Sequence, residues 1–307
     1  MLKFYVRRST GEVFQRVERP PENSVWIHGD AVTDDELSLL ARTYGMDINI
    51  LRDVMDTNEL PRVEAQHSGL YVFVRMVQRG KRGKIITTPL LLVVKDTVFA
   101  NISSGLTLDN KLISPATMGV ESLDTVGMLL DVFAAVVSEY EGLMQRTARY
   151  IQDTGQRLRT HEVTNEDFIR FVTIEDNLNE YRTNLNSMLV VAQRLRETLH
   201  EEQDIEAIED ILLYIRQLIV SIESHNLSIT SIRNAYGTIA NNVLNQRMKT
   251  LTVLTLLIAL PNVVYGMYGM NVMLPFQDQP WAYIVILFFS LTVVLIVFRI
   301  ARKRGIF

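Results

Sequence analysis

Along the second half of the chain, uncharged polar and small side chains recur at steps of four and three. They are Asn234, Thr238, Asn241, Asn245, Met248, Thr252, Thr255, Ala259, Asn262, Gly266 and Gly269. That spacing puts them on one face of a helix. Two kinds of chemistry suit such a face. Neutral amide and hydroxyl oxygens accept hydrogen bonds from water or a hydrated cation, so several copies around an axis would line a water-filled path. Alternatively, Asn and Thr hydrogen-bond between helices while the small residues let backbones approach. Spacing alone leaves both open. A second set is acidic: Glu201, Glu202, Asp204, Glu206, Glu209 and Asp210. Carboxylates are ligands for hard cations, and an acidic run is equally the mark of a solvated helix face.

The rest of the inventory excludes several classes. The chain has no cysteine, which removes disulfides, Cys-ligated zinc or iron–sulfur centres and thiol nucleophiles. His28, His67, His161, His200 and His225 are scattered, with no pair spaced for one helix face, so an imidazole metal cluster local in sequence is not expected. No nucleophile–base constellation stands out, so an enzyme is not expected. Arg79-Gly80-Lys81-Arg82-Gly83-Lys84 is a basic, turn-forming link that either touches phosphates or lipid headgroups or is a solvated loop. It lacks P-loop spacing, which argues against a nucleotide-driven pump. No organic cofactor and no nucleic-acid partner is expected.

These groups need elements to position them. Charged residues make up 21% of the 307, an ordinary soluble average, but the distribution is uneven. From Thr250 to Phe298 only Asp278 carries a charge. A bilayer core takes roughly 20 apolar helical residues, so two spans are predicted, at about 250–268 and 281–298, with a short external loop between. Arg247 and Lys249 precede the first span; Arg299, Arg302, Lys303 and Arg304 follow the second; the loop has no basic residue. By the positive-inside rule both termini are cytoplasmic, in a cell (inner or plasma) membrane protein. Trp281 and Tyr283 suit the interface. The first residues, Met1 to Arg8, lack a signal-peptide core and read as a strand.

Residues 1–115 read as an N-terminal α/β domain with a mixed sheet. Strands are predicted at Lys3–Arg7, Ser24–His28, Leu70–Val77 and Pro89–Val94, and Thr33 with Glu36 forms a capping box ahead of a helix. Residues 116–249 read as helical, with no proline from Ala116 to Leu260. Leu123, Val126, Leu130, Phe133, Val137, Tyr140 and Met144 give the first helix its apolar face. A second opens at Thr164 with Asp167 as box partner. A third starts near Asp204 and has no stop signal before the membrane, so it is a stalk of about 90 Å at roughly 1.5 Å per residue. Residues 250–307 form the membrane domain.

The first span ends in Tyr268-Gly269-Met270-Asn271. This resembles the Gly-Met-Asn signature of the CorA family, the two-span GxN family of divalent-cation channels. Leu260 to Met267, Val272-Met273-Leu274-Pro275-Phe276 and the basic tail look like that family too, as does the whole order of α/β domain, long stalk and terminal hairpin. The resemblance implies a funnel-shaped homopentamer in the bilayer that carries magnesium, and cobalt or nickel, down its electrochemical gradient. Asn271 would form a ring of amide oxygens at the outer mouth, Gly269 would allow close backbone approach, and Met270 would pack to fix the loop. Asn262, Thr255, Thr252 and Asn245 would be polar relays, with Met248 and Leu251 a hydrophobic constriction. Intracellular magnesium would bind between neighbouring subunits, and the matching motifs here are Arg52-Asp53-Val54-Met55 and Glu209-Asp210-Ile211-Leu212; Asp53 and Asp210 are the candidate ligands.

The chain departs from the pattern in places. Arg52 stands where many relatives carry an acid, Asn234 stands at a position often Asp, and Asp278 is the only acid of the external loop. Two rivals remain. One is a zinc transporter of the ZntB branch, proton-coupled or not, against which Met270 argues modestly. The other is a membrane-anchored structural or signalling oligomer.

Overall fold

The computed structural model describes residues 1–7, 13–21, 25–66, 69–105, 124–160, 163–270, 276 and 279–304. They divide into two units, Met1–Ser231 and Ile232–Phe307.

The first unit is built on a seven-stranded mixed sheet. In chain order the strands are β1 (Leu2–Val6), β2 (Gln15–Val17), β3 (Val25–Gly29), β4 (Arg62–Gln66), β5 (Gly69–Arg79), β6 (Ile85–Lys95) and β7 (Val98–Ser103). Their order across the sheet is β2-β1-β3-β7-β6-β5-β4, and only the β3–β7 pair is parallel. The central strands are buried on both faces, so β5 and β6 read as continuous apolar runs rather than alternating ones. One face carries α1 (Asp34–Tyr44) and α2 (Ile48–Asp53) over a core of Ile27, Leu37, Leu40, Leu51, Phe73 and Leu91. The other carries α3 (Thr125–Arg159) and α4 (Asn165–Thr198).

Where a local signal is complete the expected element is there. Thr33 and Glu36 form the capping box of α1, and Gly45 ends that helix at φ 65°, in the left-handed region where glycine is favoured. Three strands were not expected. β2 is three residues at an edge, β4 follows Pro61 and is half-exposed and polar, and β7 is a short wholly buried run. β2 and β7 lack the alternation that marks a strand in sequence, whereas β4 alternates as Arg62-Val63-Glu64-Ala65-Gln66 over only five residues directly after a proline. The basic link Arg79–Lys84 closes the β5–β6 hairpin through a 3-10 turn at Lys81–Gly83, with Gly83 at φ 81°. Pro115 and Leu123 lie outside the described residues.

α3 and α4 are joined by a partly buried ion-pair network centred on Asp167. Thr164 caps α4 in a box with Asp167. The Asp167 carboxylate also accepts from Arg157 Nη2 at 2.6 Å, from the Tyr150 hydroxyl at 2.8 Å and from Thr164 N at 2.9 Å. The Arg157 hydrogen bond, more than offsetting desolvation, holds this carboxyl well below the usual carboxylate range. Its folded pKa is depressed, so its contribution is fully present above the unfolded carboxylate pKa of about 3.9 and is lost as pH falls through the folded value. Asp167→Ala should lower stability by about 2 kcal/mol at neutral pH, from the lost cap and charged hydrogen bonds. The gap to wild type should close below about pH 4. Thermal unfolding of the detergent-solubilised protein against pH checks this; a gap that is constant down to strong acid contradicts it.

α5 (Glu202–Tyr268) is a single helix of 67 residues, about 100 Å long at 1.5 Å per residue. α6 (Ala282–Lys303) follows. Both are long and apolar enough to cross a membrane. Pro261 lies inside α5 and has no N–H for the Leu257 carbonyl, a break that membrane helices tolerate.

Candidate functional site

Within the second unit, α5 and α6 are the described helices, and each has one covered face. In the apolar part of α5 the covered residues are Thr250, Val253, Leu257, Leu260, Pro261 and Val264; Val253 is only 8% exposed. On α6 they are Ala282, Ile286, Ser290, Val293, Val294, Val297 and Ala301. Both sets recur at three or four residues, the spacing of a single helix face, and we read them as the faces that the two helices turn to each other. Sequence reading missed this seam because α6 is apolar all round. The signal was there in Ala282, Ser290 and Ala301, small residues that allow close helix approach.

The polar stripe lies on the other side of α5. At 100° per residue, Met248, Thr252, Thr255, Ala259, Asn262, Gly266 and Gly269 point roughly 160° from the seam. Every one of them is exposed in the single chain, as are Asn245 and Leu251. Met248 and Leu251 stand together on this side, 53% and 56% exposed. A ring of such side chains around an axis would form a dry constriction, of the kind that gates by dewetting.

Hydrogen bonding fixes what the stripe offers. Thr252 Oγ donates to the Met248 carbonyl at 2.9 Å and Thr255 Oγ to the Leu251 carbonyl at 2.9 Å. Each hydroxyl thus spends its one proton inside the helix and presents lone pairs outward. Asn245 and Asn262 make no side-chain hydrogen bond among the described residues. The surface is rich in acceptors, and the waters around a cation point their hydrogens outward.

The C-terminal end of α5 adds to this. Gly269 N bonds the carbonyls of Tyr265 at 3.0 Å and Gly266 at 3.3 Å, and Met270 N bonds Met267 at 3.2 Å. The helix therefore tightens and stops at the Gly-Met-Asn sequence. Its last turn has no basic residue, so the negative end of the helix dipole is uncompensated there. Gly266 has nothing within 4 Å of where a Cβ would sit, and Gly269 has only backbone oxygens at 3.5 Å. Met270 is 56% exposed, so more than half of its surface is open to contacts from outside the described chain. Asn271, Asp278 and the loop residues Val272–Pro275 lie outside the described residues.

The two carboxylates proposed for regulation have different surroundings. Asp53 ends α2 and pairs with Arg62 Nη2 at 2.6 Å. Arg62 also holds Glu59 and, at 2.5 Å, Glu64, and lies over the Phe73 ring at 4.2 Å. Desolvation pulls the Arg62 pKa down, but Glu64, Glu59 and Asp53 outweigh it and leave the pKa raised. A metal at Asp53 would compete with this guanidinium. Arg52, where relatives often have an acid, is held by Asp34 through two hydrogen bonds of 2.6 and 2.8 Å. Asp210 lies on α5 in a hollow of about 630 Å³ lined by Gln193, Arg196, Glu197 and Arg216. Arg196 is taken by Glu209 at 2.6 Å, and the Asp210 carboxylate has no partner among the described residues. No group of three or more acidic or imidazole side chains able to hold a metal occurs among the described residues. A site shared between copies asks each chain for one carboxylate at a time.

Comparison with known proteins identifies the family and the fold. A family described as CorA-like Mg2+ transporter protein matches residues 21–303. The curated cobalt/magnesium transport protein CorA of Methanocaldococcus jannaschii is 23% identical over 290 residues, 92% of this chain and 90% of that protein. The complete structure of the CorA magnesium transporter from the same organism superposes with a TM-score of 0.84 at 20% identity, over 100% of this chain and 99% of that one. The full-length CmaX protein gives a TM-score of 0.76 at 18% identity, over 98% and 97% of the two chains.

Proposed function

The chain belongs to the family of CorA-like Mg2+ transporter proteins, and from that premise we propose that it is a passive channel taking up magnesium as the hydrated ion. Several copies, five by resemblance, would place the polar face of α5 around a common axis, with both termini in the cytoplasm. The observation that carries this reading is the position of the stripe. It lies opposite the α5–α6 seam, wholly uncovered, and leads to the Gly-Met-Asn end of the helix.

Neutral oxygens suit this cargo. Magnesium demands octahedral geometry and gives up its waters reluctantly. Amide and hydroxyl acceptors bind the waters without stripping the ion, and without the deep well that would prevent its leaving. The membrane potential alone supplies about 4.6 kcal/mol for a dication at 100 mV, inside negative. That is a gradient of more than a thousandfold, so no chemical energy source is needed.

Magnesium flux into proteoliposomes, driven by a potassium diffusion potential, tests the function. Saturable uptake is expected, with cobalt and nickel competing and an imposed proton gradient leaving it unchanged. Proton-dependent uptake of zinc in preference to magnesium would favour a ZntB-like transporter. No uptake of any dication would leave a structural or signalling oligomer.

Regulation would rest on Asp53 and Asp210 from neighbouring subunits. Bridging by magnesium relieves carboxylate repulsion, and losing the ion favours separation and opening. Raised internal magnesium should quench flux. Asp210→Ala, which removes the unpartnered carboxylate, should shift half-quenching to at least fivefold higher magnesium. Asp53→Ala should shift it less, because Arg62 already occupies that carboxylate. Unchanged quenching in both variants rejects the pair.

A further inference from the structure

Arg79 at the end of β5, Arg146 on α3 and Arg170 on α4 line one open cleft of about 430 Å³ in the first unit. We propose that this cleft binds a small phosphorylated organic anion, either a free nucleotide or the phosphate headgroup of a lipid.

The charge argument comes first. Arg79 and Arg146 form no ion pair with a carboxylate among the described residues. Arg170 lies over the Tyr150 ring at 4.0 Å, which orients its guanidinium without neutralising it. Glu166 is the one carboxylate lining the cleft, so the lining carries net positive charge. Three arginines elsewhere in this unit are by contrast committed to acids: Arg52 to Asp34, Arg62 to Asp53, Arg157 to Asp167. A concave surface lined by one sign of charge focuses the field on what enters it. The planar guanidinium fork matches phosphate geometry.

The cleft is also held in shape. Asn177 of α4 donates through Nδ2 to the Gly83 carbonyl at 2.8 Å and accepts from Ile85 N at 3.2 Å. This clamps the tip of the β5–β6 hairpin to α4 and fixes Arg79 relative to the helices. The Asp167 network does the same for α3 against α4, because Tyr150 and Arg157 both reach it. Size and lining argue for more than bare phosphate. The volume falls in the range of small-molecule sites, and Leu143, Ile169 and Ile174 give the cleft apolar surface. The basic hairpin, which the membrane reading leaves without a role, thus becomes one wall of a site. Transport does not enter the argument, so this site and the channel stand or fall separately.

Isothermal titration of the purified full-length protein in detergent tests it, with magnesium-free ATP and monodisperse dioctanoyl phosphatidic acid as probes and inorganic phosphate as comparator. At least one probe should bind saturably, and inorganic phosphate at least tenfold more weakly. Arg146→Gln with Arg170→Gln should weaken the bound probe at least tenfold while leaving thermal unfolding unchanged. Should that double variant fail to fold, Arg79→Gln makes the same comparison from the strand, with Arg79→Lys losing less. ATP as the bound probe identifies a nucleotide; phosphatidic acid identifies a lipid headgroup. Binding of neither probe, equal binding of inorganic phosphate, or unchanged affinity in the folded variants overturns the proposal.

Discussion

Asn271→Ala should reduce magnesium flux in proteoliposomes at least tenfold while the protein still assembles and inserts. The argument starts from where α5 stops. The helix ends at Tyr268 with its last carbonyls facing onward and no basic side chain in the final turn. Asn271 is the third residue beyond that end. In the proposed assembly each copy would bring the negative pole of a helix dipole to the entrance, and the amide would supply an acceptor and donors on a short, neutral arm. In the proposed channel a hydrated magnesium ion would meet these groups before it met the threonines. Hydrogen bonds to a charged partner are worth about 1.5–3 kcal/mol each, and 1.4 kcal/mol is already a factor of ten. Alanine at every copy removes several at once. Asn271→Asp separates charge from geometry: carboxylates should bind dications more tightly and release them more slowly, so apparent affinity should rise while maximal flux falls. Wild-type flux in Asn271→Ala would remove the entrance from the mechanism.

How much of this was legible in the sequence follows from which interactions are local. The Thr33–Glu36 and Thr164–Asp167 boxes read directly, because donor and acceptor sit three residues apart and need no tertiary context. The length of α5 was legible from the absence of any stop signal. The polar stripe was legible because its period matches a helix, but its direction was not. Only the burial of Val253, Leu257, Leu260 and Val264 shows that the stripe lies opposite the covered face of α5, and a periodic pattern does not say which face is covered. Asp53 illustrates the opposite limit. Its motif drew notice, yet its hydrogen bond to Arg62 spans nine residues and depends on where β4 begins. Arg146 and Arg170 carry no signal in the sequence, since they lie 24 residues apart on separate helices. The packing of α3, α4 and the β5–β6 hairpin brings them to one cleft.

Gly266→Leu tests whether the stripe faces other copies of the chain. Within one chain the substitution is benign, since nothing lies within 4 Å of the position a Cβ would take. Leucine is also the better helix former, by about 0.8 kcal/mol. If the stripe faced lipid, an added isobutyl group would be neutral or mildly favourable. If it faces an axis, one leucine per copy enters the same narrow space, in the last turn of the helix. Flux should then fall at least tenfold, with normal expression and secondary structure, and the oligomer should dissociate more readily or conduct nothing. Gly266→Ala should be milder, because a single methyl demands far less room. The same leucine at Tyr283, a 70% exposed position on α6, should leave flux within twofold. Equal effects at the two positions would mean that the α5 stripe has no special relation to the path of the ion. A strong effect at Gly266 alone would place the inter-copy contact on the face that carries Thr252, Thr255 and Asn262, and would decide between a lined path and dry helix-to-helix glue through the accompanying flux of water-jacketed cations.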